Sequence, residues 1–85
     1  MQYVVRTTDG EIRNTRSMLK GVNVTSTAGA TINIRDGGAS GTIVVSAIIA
    51  SSGTFTEQFG DLPFNTDVYF EVASGTVTHG AFFVE

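Results

Sequence analysis

Short runs in which β-branched and aromatic residues alternate with polar ones, each closed by Gly, Asn, Asp or Ser, fill this chain almost from end to end. A spacing of two is that of a half-buried strand. No window repeats apolar residues at i, i+3, i+4 and i+7 between suitable caps, and strong helix formers are scarce after Gly21. The chain is thereby confined to an all-β fold. Residues 2–7 place Tyr3 and Val5 on one face and Val4 on the other, Asp9-Gly10 is a turn, and residues 11–17 are polar and ambiguous. In residues 18–25, Val22 and Val24 turn inward while Leu19 has the opposite parity, and Gly21 between them predicts a β-bulge. Residues 30–35 alternate with one wet face. Residues 36–41 hold three glycines and form a flexible connection.

Residues 42–50 read as the most buried strand: Ile43, Val45, Ala47 and Ile49 point one way, Val44 and Ile48 the other. In a sandwich the opposing sheet covers one such face; a loop or another subunit must cover the second. Beyond the turn at 51–53, Phe55 and Phe59 share a face with Glu57 between them. Residues 60–66 read as a loop held by Pro63, with Leu62 and Phe64 plugging the core. Residues 67–73 set Val68, Phe70 and Val72 against Tyr69 and Glu71. Ser74-Gly75 is a hairpin signal. In the last strand Val77, Ala81 and Phe83 lie opposite Phe82 and Val84. About seven strands at roughly ten-residue spacing describe one small antiparallel β-sandwich or jelly-roll-like domain over residues 1–85. Residues 1–17 are either a docking arm or an edge strand.

Size and composition point to a partner. A chain of 85 residues buries only about 60–65% of its unfolded surface. It has no cysteine, and His79 is its one histidine, so neither a disulfide nor a structural zinc is expected to reinforce the core. Charged residues are 15% of the chain against 41% hydrophobic, where an average soluble domain has about 25% charged. The apolar runs are far shorter than the ~18–20 residues that span a bilayer, and no basic-then-apolar leader opens the chain. Production in the cytoplasm without a membrane partner is the expectation. A net charge of −3 argues against nucleic acid. Four of the five bases (Arg6, Arg13, Arg16 and Lys20) lie in the first twenty residues, and six acids with no base follow Arg35. That asymmetry is either ordinary scatter on a solvated face or the mark of a basic N-terminal segment docking on an acidic neighbour, such as a second copy of the chain.

Signals for chemistry are weak. His79 shares a face with Val77 and Ala81, as a partly buried core or interface residue does, and no nucleophile is tied to it. Glu57 and Glu71 are the acids in strand interiors, but glycoside chemistry needs them across a cleft. Asp36, Asp61 and Asp67 lack the rhythm of a calcium loop and read as turn formers. The Gly-rich 36–41 segment has neither the lysine nor the helix of a phosphate loop. No catalytic, cofactor or metal residue is predicted, and the chain is not expected to be an enzyme.

The order of its elements resembles a group of small phage virion proteins built on a β-sandwich. The resemblance runs from Leu19-Lys20-Gly21-Val22-Asn23-Val24 through Ala30-Thr31-Ile32-Asn33-Ile34-Arg35-Asp36-Gly37 and Ser40-Gly41-Thr42-Ile43-Val44. It continues to Phe64-Asn65-Thr66-Asp67-Val68-Tyr69-Phe70-Glu71-Val72, Ser74-Gly75-Thr76-Val77-Thr78 and the final strand. Members carry Gly where this chain has Asp67. The resemblance implies a capsid decoration or cement protein that binds the major capsid protein, or another virion protein, as a homotrimer. Such a protein is assembled in the host cytoplasm and resides in the virion. A tail, fibre or baseplate component, or a carbohydrate-binding module using Tyr3 and Tyr69, are the competing expectations. Arg6, Arg13, Arg16, Lys20, Val44, Ile48, Glu57, Phe82 and Val84 are the candidate interface residues.

Overall fold

The alternating runs fold into eight strands: β1 Gln2–Val5, β2 Gly10–Arg13, β3 Ser17–Ser26, β4 Ala30–Asp36, β5 Thr42–Ile49, β6 Gly53–Phe64, β7 Val68–Gly75 and β8 His79–Val84. The computed structural model describes residues 2–85; Met1 lies outside the described residues. The strands form two four-stranded sheets in the orders β1-β8-β3-β6 and β2-β7-β4-β5, every pairing antiparallel. Only the β4–β5 connection stays within one sheet; every other connection crosses between layers. That double-sheet arrangement of eight strands is a jelly roll.

The core lies between the layers. Leu19, Val22, Val24, Phe64, Phe82 and Val84 from the first sheet meet Ile12, Ile32, Ile34, Ile49, Val68 and Phe70 from the second. Phe70 and Phe82 join the sheets ring to ring at 4.8 Å between centroids and 56° between planes. Leu19 reaches this core because the register shifts between Leu19 and Gly21 in both ladders of β3. The bulge resets the side-chain parity, as the sequence predicts.

Four expectations change. The strand count is eight rather than seven, because polar residues 10–13 form β2, paired with β7. Residues 60–64 are not a loop: β6 continues through Gly60, whose φ of +73° absorbs the register shift opposite β3, to Phe64. Pro63 is tolerated there because β6 is an edge strand and needs no second ladder. Ser74-Gly75 is not a hairpin, since β7 and β8 lie in different sheets. Gly75 is required instead by close approach: at φ +79°, a Cβ there would sit 2.2 Å from the Gly29 carbonyl oxygen. Finally, β5 is not the most buried strand but the edge of its sheet, exposed over most of its length. Periodicity reports which side chains share a face, not whether a neighbouring strand exists.

Candidate interaction surface

The N-terminal segment is tied into the sandwich rather than held out as an arm. β1 and β2 each form one edge of their sheet. Between them the Arg6 N–H donates to Gly80 O at 2.9 Å, and the Val72 N–H donates to Asp9 Oδ1 at 2.8 Å. Three of the four N-terminal bases are engaged within the domain. Arg6 lies against Gly10 and donates to Asp9 O at 3.1 Å; Arg13 donates to Gln2 Oε1 at 2.6 Å. Lys20 bonds Asp61 and sits 3.4 Å from Glu85. Arg16 is exposed in the β2–β3 turn.

The remaining candidates fall into two groups. Phe82 and Val84 are fully buried in the core and offer nothing to a partner; their parity on β8 turns them inward, and Ala81 and Phe83 lie on the opposite face. Val44, Ile48 and Glu57 are exposed, on β5 and β6, at the side of the sandwich away from β1 and β2. The structure therefore does not bring the basic residues and the apolar candidates together. Alternation predicts Ile43 inward; a register shift between Ile34 and Arg35 makes Val44 an extra residue on β5 and leaves Ile43 exposed. With Val44 and Ile48, the last 85% exposed, it makes the largest apolar exposure on one strand among the described residues. Alternation alone gives no sign of that bulge, because no glycine marks it.

A second apolar area lies on the outer face of the first sheet. Tyr3, 58% exposed, packs at 5.2 Å from Phe83. Phe83 also borders an open groove of about 510 Å³ with Lys20, Asn23, Thr56 and Gln58. Tyr69 is on the other sheet, opposite Glu11, so the two tyrosines share no platform. Glu57 and Glu71 are likewise on different sheets, and Glu71 accepts from Asn33 Nδ2 at 2.8 Å and Arg35 Nε at 3.1 Å. His79 is exposed at the head of β8, opposite Thr25.

Comparison of the chain with protein-family models, curated proteins and solved structures finds no match.

One end of the sandwich is fastened by two aspartates. Asp36, at the end of β4, accepts the N–H groups of Asn65 (2.8 Å), Thr66 (2.8 Å) and Asp67 (3.3 Å). Asp67 reciprocates, accepting those of Gly37 at 2.7 Å and Gly38 at 3.0 Å. The hydrogen bond from the Asn65 N–H outweighs desolvation and, with those from Thr66 and Asp67, holds the Asp36 carboxyl below its usual range. Burial pushes Asp67 up, but the Gly37 N–H, Glu11 and the Gly38 N–H bring it below that range.

Beside this clasp Glu11 moves the other way. Withdrawal of its carboxyl from water, then the hydrogen bond to Asp67 and that residue's charge, raise it from 4.5 to about 7, with Arg6 opposing. The folded state holds this proton more tightly than the unfolded chain. Its contribution is therefore full below pH 4.5 and lost as pH rises toward about 7. Asp36 and Asp67 have the opposite sign: their contribution is present above pH 3.8 and lost as pH falls. The thermal midpoint is expected to decline between pH 4.5 and about 7, and Glu11→Gln is expected to flatten that decline. A slope unchanged in the variant assigns it to another group.

Proposed function

We propose that this chain is a structural virion protein, a decoration or cement protein that binds the major capsid shell and associates with further copies of itself. The observation that carries the reading is the β5 edge: exposed, β-branched and without charge, on a domain that has little charged surface elsewhere. Two features add support. Double-sheet jelly rolls serve in viral capsid and lectin domains. The order of the sequence elements also resembles that of small phage virion proteins.

The test is to find the protein in purified particles and count it. A number proportional to the capsomers is expected. A handful of copies per particle moves the protein to a tail, fibre or baseplate, and its absence from particles ends the virion reading. A second reading, a saccharide-binding module, is favoured by Phe83, which packs against Tyr3 and lines the groove with Asn23 and Gln58. An oligosaccharide screen in which Tyr3→Ala abolishes binding would establish it.

A further inference from the structure

The four sheet edges are not equally defended against pairing. β2 carries Glu11, Arg13 and a bulge; β6 carries Glu57, Asp61 and Pro63. β1 is four residues long and runs straight into Arg6. Charges, prolines, bulges and shortness are the devices that keep an edge from adding another strand. β5 has almost none of them. No charged residue lies between Asp36 and Glu57, no proline occurs there, and the single bulge at Val44 leaves residues 45–49 regular against β4.

A strand laid against this stretch finds no counter-charge, so the side chains it turns toward the core must be neutral. β5 meets that requirement. Two copies carrying −3 each repel, and at this edge neither presents a charge to the other. The stretch is also self-complementary. Antiparallel pairing about an axis at Ala47 sets Val45 opposite the copy's Ile49 and Ser46 opposite the copy's Ile48. Inward and outward faces stay in phase, as the period of two demands. The two exposed Ile48 side chains then lie diagonally across the axis, within reach of each other, and the Val44 bulges end the pairing on both sides.

We propose that β5 pairs antiparallel with β5 of a second copy across a two-fold axis at Ala47, joining two four-stranded sheets into one of eight strands. This rests on the self-association in the proposed function and specifies two copies, where the resemblance implies three.

Sedimentation equilibrium of the full chain tests it, as wild type, Ile48→Lys and Val5→Lys. The wild type is expected to be a dimer at micromolar concentration. Ile48→Lys, at a site 85% exposed and so harmless to the fold, sets two like charges beside the axis. It is expected to raise the dimer Kd by about 100-fold. Val5→Lys, on β1 at the far side of the sandwich, leaves the dimer intact. The chain has no cysteine of its own, so Ala47→Cys gives an independent readout. Residues paired on the axis lie ~4.5–5.5 Å apart, within disulfide reach, and mild oxidation should yield a covalent dimer. A monomeric or trimeric wild type overturns the proposal. So does a dimer untouched by Ile48→Lys, one dissociated by Val5→Lys, or one that Ala47→Cys does not cross-link. Particle counting reads location separately. Monomers found in shells sink the pairing alone, and β5 dimers absent from particles sink the virion reading alone.

Discussion

Phe82→Ala is expected to destabilise the sandwich by about 3–5 kcal/mol, the usual cost of emptying a buried phenylalanine site. Phe82 is fully buried, sits in register with Val4 on one side and Val22 on the other, and meets Phe70 across the layers at 4.8 Å. Its removal opens a cavity between two sheets that cannot close without shifting β8, the strand hydrogen-bonded to both β1 and β3. An 85-residue domain has on the order of 4–13 kcal/mol to lose, at roughly 0.05–0.15 kcal/mol per residue. Urea unfolding should show the midpoint displaced while the slope holds. A change under about 1 kcal/mol accompanied by lost association would return Phe82 to an interface.

Asp36→Ala is expected to cost about 2–3 kcal/mol, the scale of hydrogen bonds to a charged group. Three backbone N–H groups, of Asn65, Thr66 and Asp67, lose their acceptor together. Asp67 then holds Gly37 and Gly38 from a turn that is itself loosened. Asp36→Asn keeps one acceptor oxygen and should lose less. Amide hydrogen exchange localises the effect: the Asn65 and Thr66 N–H groups should exchange faster in Asp36→Ala, while those in the centre of β3 keep their protection. Exchange at 65 and 66 unchanged from wild type would remove the clasp as a structural element.

What could be read from residue order was the local part. Alternation gave the strands, and Gly21 between valines of one parity and a leucine of the other gave the bulge on β3. The misreadings share a cause. Lys20 looked like a free base because its partner Asp61 is 41 residues away, and Asp36 and Asp67 looked like ordinary turn formers because their clasp spans about 30. Residues 42–50 looked buried because nothing local states that β4 has β7 on its other side and β5 nothing. Phe82 and Val84 looked available because a strand with apolar residues on both faces does not say which face the opposing sheet takes. Of the candidate surface, Val44 and Ile48 were legible, and Ile43 was hidden by a bulge that no glycine announces.

The placement of β8 has a consequence for how the protein comes into being. It fills the slot between β1 and β3, strands from the opposite end of the chain. Until residues 79–84 emerge from the ribosome, β1 has no ladder to join, and the β3 edge from Leu19 to Thr25 stands unpaired along an open seam. The nascent domain cannot lock stepwise; it closes late, through pairings far apart in sequence, which are the slow kind. A chain cut short before His79 would be left with that seam as a sticky surface.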